Sequence, residues 1–299
     1  MDEKAFQDWY LKHYKKLLVI PLLLLILSLA QIGWQTYTTG DFIKKSVSLK
    51  GGISISLLGD INEGTISKAL KENFPSADIT IRTLAQAATK TGIEIEIDLD
   101  VSNKELISSF KDVLLKTIPN LKKGDIDENL KLRSPVLGKS FFTTAIKILI
   151  LSFILMGLVV AINFKTFVPS VAVILAAFSD ITTTIAFMNI VDIRLSTSGV
   201  AALLMLIGYS VDTDILLTMK VLGRQGATVM DMVTRAMKTG IMMSATTILA
   251  ALVSILLILS YDIKQIMIII LVGLLVDIIN TWIQNVGILL LYLEKKHEL

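Results

Sequence analysis

The chain has 299 residues, of which 53% are hydrophobic and 18% are charged, and its formal net charge is +3. This composition is too apolar for a soluble protein of that length, and the basic residues are too evenly spread to indicate nucleic-acid binding. The absence of cysteine excludes disulfides, thiolate metal sites and cysteine nucleophiles. The two histidines, His13 and His297, lie in the terminal segments, so proton chemistry inside a membrane would have to use carboxylates.

Six hydrophobic segments are each long enough, at about 20 residues, to cross a hydrocarbon layer of roughly 30 Å. The first is longer than the core of a secretory signal and has no small-residue cleavage site before the polar segment, so we expect it to be retained. The sequence predicts a polytopic α-helical membrane protein with six transmembrane helices, in which residues 140–293 form a five-helix bundle. The spans lie near residues 17–37, 141–163, 168–190, 197–221, 239–260 and 265–292.

The placement of lysine and arginine predicts the orientation of these spans. If the N-terminus lies inside, most basic residues outside 38–139 fall on the cytoplasmic side, and the short outer loops hold only Arg194 and Lys264. We therefore expect a multi-pass protein of the cell membrane with cytoplasmic tails, 1–16 and 294–299. Residues 38–139 would then form an extracytoplasmic domain.

The segment 38–139 carries more than half of the charged residues of the chain. Its periodicity predicts the order strand, helix, strand, strand, helix, strand, which is typical of a ferredoxin-like α+β domain. Ser102, three residues before Glu105, is the predicted cap of the second helix, and Gly51-Gly52 predicts a bulge or a close backbone contact. We find no catalytic constellation here and expect a docking module. The predicted strands are 47–58, 77–84, 93–99 and 131–137, and the predicted helices are 61–74 and 102–118.

The run Gly208-Tyr-Ser-Val-Asp-Thr-Asp214 is the most unusual segment, because it places two carboxylates inside the fourth span. An ionised carboxylate in hydrocarbon costs several kcal/mol, so such residues usually mark an ion path or a buried partner. Asp212 and Asp214 are two residues apart and point roughly 200° apart on a helix. We expect Asp212 to face the bundle, because it shares a face with Gly208.

Further polar residues lie at helical spacing on neighbouring spans. Asp180, in the third span, is flanked on its own face by alanines and threonines, which favour close helix approach and hydrogen bonding. Arg235, near the inner end of the fifth span, is the expected counter-charge for an acid of the fourth. The sixth span carries a polar stripe that contains Gly273, Asp277, Asn280, Thr281 and Gln284. For Asp277, a structural role or a contact with a partner is the slightly favoured interpretation.

Several of these segments together resemble the SecF members of the SecD/SecF protein-export family. The resemblance rests on AFSDITTTIAFMNI, STSGVAALLMLIGYSVDTDILLTMKVL and DMVTRAMKTGIMMSATT, with SLKGGISI after the first span and SPVLGKSFF before the second. It implies an accessory subunit of the Sec translocase, related to resistance–nodulation–division transporters. With SecD and the translocon channel it would use the proton motive force, or a sodium gradient, to promote export of unfolded polypeptide across the lipid bilayer. No catalysis, cofactor or metal site is implied.

The resemblance also assigns individual residues. Asp180 matches the acid of the family's third helix, Gly208, Tyr209 and Ser210 match its GYS packing motif, and Arg235 matches the arginine that opens its fifth helix. Bacterial members carry GYSxND, with the acid sixth, whereas the sixth residue here is Thr213. The main ion-coupling acid is therefore Asp212 or Asp214, and its inward orientation makes Asp212 the expected one. The further ion-coupling candidates are Asp180, Arg235 and Asp277.

Two other functions compete with ion-coupled export. In a non-transporting scaffold subunit, the buried acids would only pair with SecD or with Arg235. An intramembrane aspartyl protease would need a Gly-x-Gly-Asp element, and Ser210 and Val211 precede Asp212 instead.

Overall fold

The computed structural model of the protein describes residues 3–86, 89–224 and 226–297. Within them, six helical segments are long and apolar enough to cross a membrane, which confirms the predicted number of spans. The elements, in chain order, are α1 (Glu3–Leu17), α2 (Val19–Thr39), α3 (Val47–Lys50), β1 (Gly52–Leu58), α4 (Glu63–Asn73), β2 (Ile79–Gln86), β3 (Thr89–Ile97), α5 (Lys104–Thr117), α6 (Lys123–Asn129), β4 (Leu130–Arg133), α7 (Pro135–Phe164), α8 (Phe167–Ile190), α9 (Thr197–Leu222), α10 (Val229–Leu257), α11 (Tyr261–Ile279), a π-helical turn (Asn280–Asn285) and α12 (Val286–Lys295).

The four strands form one antiparallel sheet in the order β2-β3-β1-β4. Alternate residues of β1 and β3 point to the same face, and Ile53 and Ile55 lie opposite Ile97 and Ile95. That face is buried against α4 and α5, whose Phe110 is fully buried in the same core. The strict alternation of isoleucine with polar residues along β3 therefore fixes which side of the sheet the two helices cover.

Two predicted strands were too long, because each overlaps a helix start. Val47–Lys50 forms the short helix α3, whose N-cap Ser46 accepts a hydrogen bond from the Ser48 amide at 3.2 Å. Gly51 has a φ of +96°, and a Cβ there would lie 2.5 Å from the backbone of Pro135, so the glycine is a point of close backbone contact. At the other end of the domain β4 ends at Arg133, since Pro135 is the first residue of α7.

The starts of several helices also differ from the prediction. Residues 3–16, predicted as part of a tail, belong to helix α1. The second helix of the outer segment is capped by Asn103 and not by Ser102, because the Asn103 side chain accepts from the amides of Glu105 and Leu106. The fifth span begins at Val229, ten residues before the predicted start, where Thr228 caps it.

The face of the sheet away from α4 and α5 is polar and rests on loops between the spans. Arg82 lies 3.0 Å from Glu96 and stacks on the ring of Tyr261, at the start of α11, with 4.2 Å between the guanidinium carbon and the ring centroid. Arg194, in the loop between α8 and α9, donates two hydrogen bonds to Asp78, at 2.6 and 2.9 Å. The sheet domain is therefore joined to the α10–α11 and α8–α9 connections by polar contacts.

The spans differ in how much of their surface is covered. In the most apolar 18-residue stretch of each span, 72% of the residues of α8 and 56% of those of α9 are buried. The corresponding fractions are 11%, 11% and 17% in the first, second and fifth spans. Helices α8 and α9 therefore form the centre of the bundle. Helices α2, α7 and α10 leave most of their surface for lipid or for another protein.

Candidate functional site

Three carboxyl side chains are buried at the centre of the bundle, each on a different span. Asp180 on α8 and Asp214 on α9 are 0% exposed, and Asp277 on α11 is 1% exposed. The stripe of polar residues predicted for the sixth span faces the same interior, since Asn280 and Thr281 are also fully buried. The helical spacing of polar residues therefore placed two of the three acids correctly, Asp180 and Asp277.

Asp180 accepts one hydrogen bond from the fourth span and one from the sixth. The Ser210 hydroxyl donates to its Oδ2 at 2.5 Å, and the Asn280 amide donates to its Oδ1 at 2.7 Å. Both donors are neutral. The small side chains beside Asp180, Ala176 and Ala177, are fully buried, so α8 approaches its neighbours closely at this level.

Asp277 lies between two threonine hydroxyls. Thr281, one turn further along, donates to its Oδ1 at 3.0 Å, and the Thr213 Oγ1 lies 3.2 Å from its Oδ2. Thr213 also donates to the Ser210 carbonyl at 2.8 Å. The residue at the acid position of the bacterial motif is thus a hydroxyl that contacts an acid of the sixth span.

Asp214 accepts a hydrogen bond from the Asn285 amide, with 2.7 Å between the amide nitrogen and Oδ1. Its Oδ2 is buried and accepts no hydrogen bond from the part of the chain that the structure describes. The buried Oδ1 atoms of Asn280 and Asn285 likewise have no donor among the described residues. Buried polar atoms without partners are costly, so each of these oxygens is a candidate acceptor for a protonated carboxyl, an ion or a water molecule.

The π-helical turn is what brings both amides to the acids. A turn with i→i+5 bonds holds more residues than an α-helical turn, so each residue advances by a smaller angle around the axis. Asn285, eight residues after Asp277, therefore rotates towards the polar stripe and reaches Asp214. The sequence carried no signal for this turn, and Asn285 was missing from the predicted site for that reason.

Helix α11 packs closely on α9 one turn before Asp277. A Cβ on Gly273 would lie 2.3 Å from the Leu206 side chain, so the glycine allows the two helices to approach. By contrast, nothing lies within 4 Å of the position where a Cβ of Gly208 would be. Gly273 is a true contact glycine, whereas Gly208 is not in contact with another part of the described chain.

The expectation that Asp212 faces the bundle was wrong. Asp212 is exposed, and so are Gly208 and Tyr209, whereas Ser210 and Asp214 are fully buried. Ser210, Thr213 and Asp214 follow helical spacing and define the inward face of α9, so Asp212, two residues from Ser210 and from Asp214, must point outward. The error came from taking Gly208 as the mark of the packed face.

Arg235 does not act as a counter-charge to the buried acids. Its side chain is exposed on α10, where its carbonyl oxygen accepts a hydrogen bond from Lys220 at 3.3 Å. Among the described residues no lysine, arginine or histidine side chain bonds to Asp180, Asp214 or Asp277. The cluster therefore consists of three acids and neutral donors.

Fold and site together define the class of the protein: a six-span membrane protein with a sheet domain at one end of the bundle and a carboxyl cluster at its centre. The profile described as "Protein export membrane protein SecD/SecF, C-terminal" matches residues 115–295. The chain belongs to this SecD/SecF family.

Individual relatives agree with this assignment. The chain is 35% identical over 284 residues to the protein-export membrane protein SecF of Pyrococcus furiosus, covering 94% of this chain and 92% of that one. It is 35% identical over 295 residues to the SecF of Methanocaldococcus jannaschii, covering 95% and 98%. The crystal structure of SecDF, a translocon-associated membrane protein from Thermus thermophilus, superposes with a TM-score of 0.73 at 18% identity. This chain is covered to 95% in that superposition and spans 38% of the SecDF chain, which shows the fold alone.

Proposed function

We propose that this chain is a SecF-type subunit that, with SecD and the translocon channel, uses a proton or sodium gradient to promote export of unfolded polypeptides. Membership of the SecD/SecF family and similarity to proteins named SecF over more than nine-tenths of the chain support the role in export. The buried carboxyl cluster supports the use of an ion gradient.

The observation on which this function rests is that Asp180 and Asp214 are fully buried and that, in the part of the chain that the structure describes, only neutral side chains donate hydrogen bonds to them. Three carboxylates in one low-dielectric site cannot all be ionised without a cation, because burial and mutual repulsion both disfavour the charged forms. Uptake of a proton or sodium ion removes this cost. Release restores it, so ion occupancy shifts the balance between two packings of α8, α9 and the sixth span.

The outer face of α9 is proposed as the contact surface for SecD. Asp212 and Tyr209 lie on it beside Gly208, and a carboxylate facing hydrocarbon calls for a polar partner. Arg235, on the neighbouring helix α10, is exposed as well. Asp212 and Arg235 would then contribute to ion coupling at the interface, and Asp180, Asp214 and Asp277 inside this subunit.

We also propose that residues 38–139 form a ferredoxin-like domain outside the membrane and that both termini are cytoplasmic. The antiparallel strand order β2-β3-β1-β4, with α4 and α5 on one face, supports the fold. The excess of lysine and arginine at the opposite end of the bundle supports the orientation. In this arrangement the contacts of Arg194 and Tyr261 with the sheet transmit movement of the spans to the domain.

The test is gradient-driven export in membrane vesicles that contain SecD and the translocon. Asp180→Asn and Asp214→Asn should abolish the part of export that depends on the gradient, while SecD still co-purifies with the variant. Asp192→Asn is the matched control, because Asp192 is an exposed acid in the loop after α8, paired with Lys44. Gradient-dependent export at the wild-type level in both buried-site variants would contradict the proposal and leave the acids a purely structural role.

A further inference from the structure

Helix α1 lies across two spans at the end of the bundle opposite to the sheet domain. The Tyr14 hydroxyl donates to Glu294 of α12 at 2.6 Å. Gln7 donates to Asp231 of α10 at 3.2 Å, and Lys238 of α10 donates to Glu3 at 2.8 Å. A short segment that the sequence predicted as a tail therefore bridges the sixth and fifth spans.

Between these contacts, α1 reaches the π-helical turn itself. The Tyr10 hydroxyl donates to the backbone carbonyl of Trp282 at 2.6 Å, and Tyr10 and Trp282 are each 4% exposed. The carbonyls of a π-helical turn have different partners from those of a regular α-helix, so a side-chain donor here stabilises the irregular turn. The indole of Trp282 packs against Gly240, where a Cβ would lie 2.4 Å from its Cζ2.

The same turn supplies the two amides that bind the acids. Asn280 lies two residues before Trp282 and donates to Asp180, and Asn285 lies three residues after it and donates to Asp214, both at 2.7 Å. We propose that Tyr10 is a positioning residue for the carboxyl cluster: its hydroxyl fixes the π-helical turn and thereby holds Asn280 and Asn285 against Asp180 and Asp214. This inference rests on the proposed ion-coupling function and extends it to the N-terminal helix.

Removal of the Tyr10 hydroxyl would leave the buried Trp282 carbonyl without this donor and let the turn relax towards a regular helix. The two amides would then bind the acids less well. A hydrogen bond from an amide N–H favours the charged carboxylate, so its weakening favours the protonated form. Proton release from the cluster would therefore occur at higher pH.

Among the described residues, the titratable group that faces Asp180 and Asp214, besides these two acids, is Asp277 of α11. On α1, Tyr14 lies one turn after Tyr10, and both Tyr14 and Lys15 are bonded to Glu294. These contacts lie on the exposed end of α12 and do not involve the π-helical turn.

The experiment follows the infrared absorption of protonated carboxyl groups against pH, using the full chain reconstituted in lipid. Asp180→Asn and Asp214→Asn assign the bands of the cluster. Tyr10→Phe keeps the buried ring and removes only the oxygen; its titration midpoint should rise by about half a pH unit or more, as expected for the loss of one neutral hydrogen bond. Gly240→Ala, which displaces the Trp282 ring, should move the midpoint in the same direction and replaces Tyr10→Phe if that variant does not fold.

Tyr14→Phe is the matched control, because it removes a hydroxyl from the same helix that bonds to Glu294 and not to the turn. Its midpoint should equal that of the wild type. The positioning role is overturned if Tyr10→Phe and Gly240→Ala both titrate like the wild type, while the two asparagine variants still remove the bands. If neither asparagine variant changes a titrating band, proton uptake at the cluster fails first, and with it the inference.

Discussion

Glu94, on the polar face of the sheet, makes the contact between the sheet domain and the spans sensitive to pH. Burial raises the pKa of its carboxyl to about 7, the charge of Glu96 adds to this, and Arg82 opposes it. In the unfolded chain the group would titrate near its ordinary value of 4.5. Below that value both states are protonated. Between pH 4.5 and 7 only the unfolded state releases its proton, so stability falls as the pH rises through this window.

The size of this effect follows from the two pKa values. Each unit of difference corresponds to about 1.4 kcal/mol, so the domain should lose about 3 kcal/mol of its free energy of unfolding between pH 4.5 and pH 8. Glu94→Gln mimics the protonated group. It should therefore match the wild type at pH 4.5 and exceed its stability by about 3 kcal/mol at pH 8.

Amide hydrogen exchange of β1 and β3 in the detergent-solubilised chain measures this free energy, after correction for the intrinsic pH dependence of exchange. Glu94 and Glu128 both line a cavity of about 320 Å³ beside the sheet. Glu128→Gln is the control, because the Glu128 side chain is exposed. The reasoning is refuted if Glu94→Gln and the wild type lose protection in parallel across this pH range.

Three more predictions follow from the packing. Gly273→Ala should destabilise the bundle by about 1–3 kcal/mol, measured by denaturant unfolding, since its Cβ would overlap Leu206. Gly208→Ala should not destabilise the isolated chain, because nothing lies near the added Cβ, but it should weaken co-purification with SecD. Phe110→Ala should cost about 3–5 kcal/mol in the sheet domain, because the ring is fully buried between α4 and the sheet, and hydrogen exchange of β3 would detect it. Arg194→Ala removes both hydrogen bonds to Asp78 and should increase proteolysis of the α8–α9 loop, with Lys50→Ala, which loses a 3.4 Å contact to the same acid, as the weaker comparison.

Much of the architecture was predictable because a membrane imposes simple rules. Length and hydropathy are enough to predict six spans, because a helix needs about 20 consecutive apolar residues to cross the hydrocarbon. Alternation of isoleucine with charged residues in 93–97 gave the third strand and its buried face. Polar residues at helical spacing placed Asp180 and Asp277 in the interior, because a buried polar stripe has few alternatives in lipid.

The rotation of α9 was not predictable in the same way. Both sides of this helix carry small and polar residues, so Gly208 and Asp212 offered as plausible a packed face as Ser210 and Asp214. The choice depends on which surface fits the neighbouring helices, for example Leu206 against Gly273, and no single helix encodes that. The π-helical turn was missed for a related reason: it depends on contacts from Tyr10 and Asp214, which are distant in sequence.

The boundary errors have local physical causes. Val47–Lys50 contains β-branched and apolar residues that suit a strand, but Ser46 caps a helical turn there and Gly51 must pass close to Pro135. Likewise Asn103 and Ser102 are both good N-cap residues, and the two amide hydrogen bonds to the Asn103 side chain decide between them. Adjacent candidates of this kind are resolved only by the final backbone geometry.

The central claim, that the buried acids couple an ion gradient to export, is tested most directly by ion movement through the purified complex. The complex of this chain with SecD would be placed in liposomes under an imposed gradient, with an exported chain engaged, and proton and sodium flux followed with ion-sensitive dyes. Asp214→Asn should abolish the flux that depends on the engaged chain, while Asp192→Asn retains it. Undiminished flux through Asp214→Asn and Asp180→Asn would contradict the account.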